Sequence, residues 1–334
     1  MNTKQKDIAR ATGMSTTSVS LVLNGRPNKL SKESREQILR MAADMDYKPE
    51  RAKRLFSRNA DCIGIIVPRI SNYFFAEIVQ GASDCVQSRG WRLLLVTNDG
   101  SPEKDKAAIK MMKDFRVAAI LLTSSEDSPA SMFEGLTCPV IQVDRHSPAL
   151  HFSSVVLNNK KGGFIAVKHL LDLGHRKIAC ITGSQKLVSA RERLEGYYWA
   201  FREQGLTPPA FGVFEGDYLY ESGYALADKI IAGGFTAVVC GNDIMAFGLS
   251  KRCRETGVSI PDSLSVVGFD NLVYSELLDP PLTTVSQSSY AIGSQACQRA
   301  FFEIENPNVS KQTILFEPEL IVRKSTVSAE GNRE

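Results

Sequence analysis

Four short apolar runs in this 334-residue chain end on side chains that donate or accept hydrogen bonds at defined angles. Arg69 and Asn72 follow residues 63–67, Asp144 and Arg145 close 140–144, Asn242 and Asp243 follow 237–240, and Asp270 and Asn271 follow 265–269. Carboxylates accept, guanidinium groups donate and carboxamides do both, so such a set suits the hydroxyls of a sugar or a similar polar molecule. The same residue types also cap helices. Asp243, just ahead of an apolar helical stretch from Met245, fits that plainer role equally well.

Catalysis has no comparable signature. The chain carries no GxGxxG after its first apolar run, no GxxxxGKS or GxxxxGKT, and four histidines (146, 151, 169, 175) without HExxH or other ligand spacing. No enzyme, metal or cofactor is expected. Seven cysteines (62, 85, 138, 180, 240, 253, 297) form no CxxC and read as reduced thiols. There is no basic-then-apolar leader, and no apolar run approaches the ~18 residues of a membrane span, so the expected location is the cytoplasm.

A second chemistry stands at the amino end. Residues 6–11, a turn at Thr12-Gly13-Met14 and residues 15–24 read as two short helices around a glycine, the layout of a DNA-reading helix-turn-helix. Val19, Val22 and Leu23 fall at helical spacing to pack inward with Ile8 and Met14, leaving Thr16, Thr17, Ser20 and Leu21 outward. Ser15 is placed to cap this helix. Ser31 is placed to cap a third over 32–46, with Ile38, Leu39, Ala42 and Met45 on one stripe.

Charge follows the motif. Residues 1–60 hold 13 Lys and Arg against 6 Asp and Glu, a net +7, whereas the remainder is −4. Phosphate binding requires such a concentration of cations. Residues 50–60 then form a polar, basic linker in which Arg51, Lys53, Arg54 and Arg58 surround Leu55-Phe56. That pair suits either a minor-groove wedge or docking onto the body of the protein.

The elements that must position the polar sets alternate strand with helix. Strands are expected over 63–67, 91–97, 118–123 and 140–144, with helices over 76–89 and 103–115 between them. After Asn158 come helices over 163–173, 192–204, 222–232 and 245–255 and strands over 177–182, 211–216, 237–240 and 265–269. The expected fold is α/β: a small all-α head and two doubly wound parallel-sheet lobes whose strand carboxyl ends face one cleft.

Ordered motifs along the chain resemble the lactose and galactose repressor (LacI/GalR) family of bacterial transcription regulators. They include Asp7-Ile8-Ala9 to Leu23-Asn24, Tyr47-Lys48-Pro49, Ile63-Gly64-Ile65-Ile66-Val67-Pro68 with Ser71-Asn72 and Phe74-Phe75, Leu173-Gly174-His175-Arg176, Ala190-Arg191-Glu192-Arg193, Gly241-Asn242-Asp243, Val266-Val267-Gly268-Phe269-Asp270, Pro281-Leu282-Thr283-Thr284-Val285 and Glu319 to Arg323. The match spans roughly residues 4–326.

The resemblance implies a homodimer whose heads read a near-palindromic operator, a hinge helix in the minor groove and a core of periplasmic-binding-protein type holding a small effector. Carried over by position, Thr16, Thr17 and Leu21 face bases, with Ser15, Ser20 and Asn24 beside them and Arg51 and Leu55 or Phe56 in the hinge. Arg193, Asn242 and Asp270 hold the effector, with Asp144 and Gln287 nearby and Arg69, Asn72, Phe74 and Arg145 completing the expected lining. For Arg193 the plainer alternative is a salt bridge to a neighbouring Glu on its own helix. The implied boundaries are a head over 1–48, a hinge over 49–61, a core over 62–327 and a polar tail over 328–334. Within the core, one lobe takes about 62–157 with 287–317 and the other about 158–286 with 318–327.

Three positions depart from the family pattern. Leu21 replaces the usual arginine, so guanine recognition gives way to contact with a thymine methyl. The hinge is one residue short before Ile63, which leaves Leu55 and Phe56 both eligible as wedge. Arg69 stands where many relatives carry an acid or small residue; with Arg145 and Arg193 it suggests a cationic cleft and an effector bearing phosphate or carboxylate.

The expected function is an effector-controlled transcriptional repressor. Its rivals are a solute-binding protein without DNA affinity and a sugar-modifying enzyme. Residues 324–334 are polar without an apolar heptad, which favours a dimer over a tetramer. The stripe Phe75, Ile78, Val79, Ala82 could form its interface or serve as core.

Overall fold

The computed structural model describes residues 5–23, 30–45, 47, 60–125, 129–147 and 149–329, which fall into two compact units divided between Ala60 and Asp61. The first unit holds α1 (Gln5–Thr12), α2 (Thr16–Leu23) and α3 (Lys32–Asp44). Ile8, Ala9, Val19, Val22, Ile38, Ala42 and Tyr47 form one core, with Met14, Leu23 and Met45 packed against it. Ser15 Oγ accepts from the Ser18 amide at 3.0 Å, and Ser31 caps α3 through the Ser34 amide at 3.2 Å. Leu39 departs from the expected stripe and is 51% exposed, because it lies about 100° around the helix from Ile38, which together with Ala42 faces inward.

In the second unit β1 (Ala60–Val67), α4 (Tyr73–Ser88), β2 (Arg92–Thr97), α5 (Pro102–Phe115), β3 (Val117–Leu122), β4 (Val140–Val143) and β5 (Ser153–Leu157) build one lobe. The other lobe holds α6 (Asn159–Asp172), β6 (Ile178–Thr182), α7 (Val188–Glu203), β7 (Val213–Glu215), α8 (Tyr220–Ala232), β8 (Ala237–Cys240), α9 (Asp243–Thr256), β9 (Ser265–Asp270), α10 (Val273–Glu276) and β10 (Thr283–Ser286). The chain returns to the first lobe for α11 (Ser289–Glu305) and β11 (Thr313–Phe316), then ends in the second with β12 (Glu319–Ile321).

Strand orders are β11-β5-β4-β3-β1-β2 and β12-β10-β9-β8-β6-β7. The sheets are parallel except at one edge, where β12 runs antiparallel to β10, with Val285 opposite Leu320. The backbone therefore passes between lobes three times, after β5, β10 and β11. The Asn158 amide donates to the Phe316 carbonyl at 2.9 Å, tying the first crossing to the third.

Strands form where β-branched residues run together, as in the buried Ile63, Ile65, Ile66 and Val67 of β1. Four core helices start where a side chain satisfies one of their first amides: Asn72 for α4, Ser101 with Pro102 for α5, Asn158 for α6 and Asn242 for α9. Because Asn72 caps α4, that helix begins at Tyr73 rather than at residue 76. Phe75, Ile78 and Ala82 are buried against Ile63, Ile65 and Ile292, and Val79 packs half-buried against the same cluster, so these residues serve as core within the chain. A Cβ at Gly81 would collide with the Tyr290 carbonyl and one at Gly293 with the Ile78 carbonyl, so α4 and α11 meet backbone to backbone.

Candidate functional site

The carboxyl ends of both sheets open onto one cavity with about 360 Å³ of empty space, lined by Asn72, Phe74, Phe75, Asp144, Arg145, Ser189, Arg193, Tyr218, Asn242, Asp270 and Gln287. The first lobe contributes the start of α4 and the turn after β4. The second contributes α7, the turn after β7, the start of α9 and the end of β9, and Gln287 lies on the second crossing between lobes.

Arg193 sits at the centre of the polar wall, with its side chain only 11% exposed. Nε donates to Asn159 Oδ1 at 2.9 Å and Nη1 to the Gly241 carbonyl at 2.6 Å, while its guanidinium carbon lies 3.7 Å from the centre of the Phe269 ring. The Asp270 carboxylate is 4.0 Å away. The neighbouring acids on α7 turn elsewhere, Glu195 to Lys160 and Glu192 to Asn159, so a surface salt bridge on its own helix does not account for Arg193.

Asp144 and Asp270 are buried and hold left-handed backbone, with φ of 63° and 113°. Such conformations cost energy and concentrate where a side chain must be aimed. Burial pushes the Asp270 carboxyl well above the usual carboxylate range, opposed by the Arg193 guanidinium. Burial also raises Asp144, opposed by Arg145 and Arg193; the Arg145 guanidinium lies 3.8 Å from its carboxylate. Gln287 donates to Asp270, and its own Oε1 is buried without a protein partner. The Tyr218 hydroxyl is likewise buried and unpaired, and burial raises its pKa.

Both cavity asparagines also start helices. Asn72 Oδ1 accepts from the Phe74 amide at 3.1 Å; Asn242 Oδ1 accepts from the Met245 amide at 2.9 Å while its Nδ2 donates to the Tyr218 carbonyl at 3.1 Å. Asp243 has neither of the roles weighed for it. It points inward, accepts from Ser275, Thr284 and the Leu272 amide, and is pushed by burial to about 6. Asn271 turns to the Arg323 guanidinium at 2.7 Å.

Eight of the nine expected lining residues thus meet in one cavity. The ninth, Arg69, is exposed and outside the lining; two residues past β1, it is carried onto the surface, where its charge acts on Asp99. Phe75, Ser189 and Tyr218 were not anticipated. Ser189 lies four residues before Arg193 on the same helix face, and Tyr218 follows a strand as the other polar residues do, so both had a signal in the chain.

In the head, Ser15, Thr16 and Thr17 are exposed and Ser20 and Leu21 half-buried. The Ser15 hydroxyl accepts from the Ser18 amide as a cap. Asn24, Arg51, Leu55 and Phe56 lie outside the described residues. All seven cysteines are free thiols. Among the described residues no metal-binding cluster occurs and no helix is long and apolar enough to cross a membrane.

A two-lobed ligand-binding core joined to a helix-turn-helix head defines a ligand-responsive DNA-binding regulator. Comparison with known proteins agrees along the whole length. Residues 4–50 match the family of bacterial regulatory proteins of the lacI type, and residues 167–326 match the periplasmic binding protein-like domain. The chain is 32% identical over 326 residues to the HTH-type transcriptional repressor PurR of Vibrio campbellii, covering 96% of this chain and 97% of the relative.

Among solved structures, it matches a transcriptional regulator CelR–cellobiose complex with TM-score 0.74 and 27% identity, over 97% of this chain and 100% of that one. It also matches the lac repressor dimer bound to operator and the anti-inducer ONPF, with TM-score 0.73 and 25% identity, over 98% and 100%. The chain belongs to the LacI family: it is an effector-controlled transcriptional repressor and not an enzyme.

Proposed function

We propose that the effector is a neutral polyhydroxylated molecule, a sugar or close derivative, held between the lobes by Asn72, Asp144, Arg145, Arg193, Asn242, Asp270 and Gln287 against the aromatic faces of Phe74, Phe75 and Tyr218. The observation that carries this is the pairing inside the cavity: each arginine faces an aspartate at about 4 Å, and two buried polar atoms, Gln287 Oε1 and the Tyr218 hydroxyl, have no protein partner. Sugar hydroxyls both donate and accept, so they can satisfy such a mixed wall. An anionic effector loses one of the three cations proposed for it, because Arg69 stands exposed outside the cavity lining. The CelR structure with cellobiose gives a precedent for a sugar on this fold.

In the same reading the protein acts in the cytoplasm as a homodimer on a near-palindromic operator, with the implied head, hinge, core and tail boundaries. Thr16, Thr17 and Leu21 contact bases, Ser15, Ser20 and Asn24 the backbone nearby, and Arg51 with Leu55 or Phe56 the minor groove. Closure of the lobes on the effector changes the affinity for operator, a coupling of about 1–3 kcal/mol in such systems.

Calorimetry on the purified protein with neutral pentoses, hexoses and disaccharides, beside their phosphate esters and uronic acids, tests the proposal. Saturable binding of a neutral sugar that shifts the affinity for an inverted-repeat operator is expected. Binding confined to the anionic compounds would overturn it.

A further inference from the structure

At the amino ends of the second sheet's strands, the end opposite the effector cavity, Lys177, Pro209, Ala210, Phe211, Phe214, Lys229, Gly233 and Phe235 line an open groove with about 800 Å³ of empty space. Phe211 is 89% exposed on its rim. A single exposed aromatic residue is unremarkable, but here three phenylalanines, Phe211, Phe214 and Phe235, share one depression. Phe214 and Phe235 form the floor, edge to face at 6.0 Å between ring centres.

The groove is held in shape by backbone bonds. The Thr236 amide donates to the Lys177 carbonyl at 3.0 Å, fixing the floor, and the Gly212 amide donates to the Pro209 carbonyl at 3.1 Å, fixing the turn that presents Phe211. Little ordering is then left for a partner to impose.

Charge selects the occupant. No carboxylate lines the groove, and neither Lys177 nor Lys229 makes an ion pair with a described residue, although residues 61–334 carry more acidic than basic side chains. We infer that this groove docks an acidic segment of another protein, an apolar side chain inserting beside Phe211 while flanking carboxylates meet Lys177 and Lys229. A second copy of the chain fits less well, since a two-fold contact would set these lysines against each other. Single-stranded nucleic acid could stack on the rings, but two cations on a net acidic core are a weak track for a phosphate backbone.

The test is a random dodecapeptide display library selected on the full-length protein and depleted on a Lys177→Glu/Lys229→Glu variant. Enriched peptides are expected to be acidic around one large apolar residue. Their synthetic forms should bind the parent in a salt-sensitive way and lose at least about tenfold in affinity with Phe211→Ser. Thermal melting and operator binding of Phe211→Ser should match the parent, which separates a lost contact from a lost fold. Enrichment of basic or uncharged peptides, no enrichment beyond the depleted variant, or tighter binding of an oligothymidylate than of any peptide at this face would overturn the inference. Concentration-dependent self-association abolished by Phe211→Ser would also overturn it, in favour of a second copy.

Discussion

Replacing Arg193 by lysine keeps the charge and removes the fork, so it isolates what the guanidinium geometry contributes. In the parent, one group bonds Asn159 Oδ1 at 2.9 Å and the Gly241 carbonyl at 2.6 Å and stacks 3.7 Å from the Phe269 ring centre, almost entirely out of water. A lysine can hold one of those acceptors but not both. One charge-assisted bond is worth about 1.5–3 kcal/mol and the difference in stacking about 0.5–1. The loss is therefore about 2–4 kcal/mol, which at roughly 2–4 °C per kcal/mol lowers core melting by about 4–16 °C. If Arg193 also donates to the bound effector, calorimetry should show a further loss of tenfold or more in affinity. Glu195→Ala, which breaks only the exposed pair with Lys160, serves as control and should change neither readout. An Arg193→Lys protein that melts with the parent and binds the same sugar equally well would refute both the structural role and the effector-binding role argued for this residue.

Further expectations follow from other sites. His175, bonded to Thr236 and the Val327 carbonyl, has its pKa lowered by burial below the ordinary 6.5, so its contribution is complete above that value and is lost as pH falls. Asp243, raised to about 6, contributes most below its ordinary 3.8 and loses that contribution as pH rises through about 6. Urea midpoints from pH 7 to pH 5 should accordingly fall less for His175→Gln than for the parent and fall more for Asp243→Asn; the reverse order contradicts the assignments. Gly293→Ala should destabilise the core by about 1–3 kcal/mol in urea unfolding, because its methyl meets the Ile78 carbonyl with no flexible side chain to yield. Leu21→Arg should move one operator step from T·A toward G·C by about 1–3 kcal/mol in a binding selection over randomised half-sites, and an unchanged base preference would remove Leu21 from the groove.

Much of the core could be read from the chain because buried parallel strands leave runs such as Ile63 to Val67, and polar residues behind such runs gather at one end of a sheet. Elements whose burial is decided by distant partners left weaker marks. β5 begins with Ser153 and Ser154, whose hydroxyls are matched by Glu303 and Thr313, about 150 residues away. α11 is held by a backbone approach to α4 that needs Gly81 and Gly293 to coincide in space. Leu39 shows the opposite failure: helical periodicity named the stripe correctly at Ile38 and Ala42, but an apolar residue one position round need not be inside. At the site, Arg193 and its acidic partner Asp270 were legible, and Arg69 was not. A cation two residues beyond a strand has the right sequence position for the cavity, and only the course of the turn decides where it points.

One of the two unpaired atoms in the cavity belongs to a residue on a crossing between lobes. Gln287 lies on the segment between β10 and α11, directly before Ser288 in left-handed backbone, and it holds Asp270 through its amide nitrogen while its oxygen lacks a protein partner. A ligand hydroxyl that donates to that oxygen would connect the end of β9, in one lobe, to the chain entering α11, in the other. Binding energy is thereby spent on a connection between lobes and not only on the pocket wall. That is the condition for a ligand to shift a conformational equilibrium, since equal affinity for two arrangements shifts nothing. Gln287→Leu keeps the volume and removes both polar atoms. It should weaken the influence of the sugar on operator affinity more than it weakens sugar binding itself, and equal losses in the two would place Gln287 in the pocket without a part in the coupling.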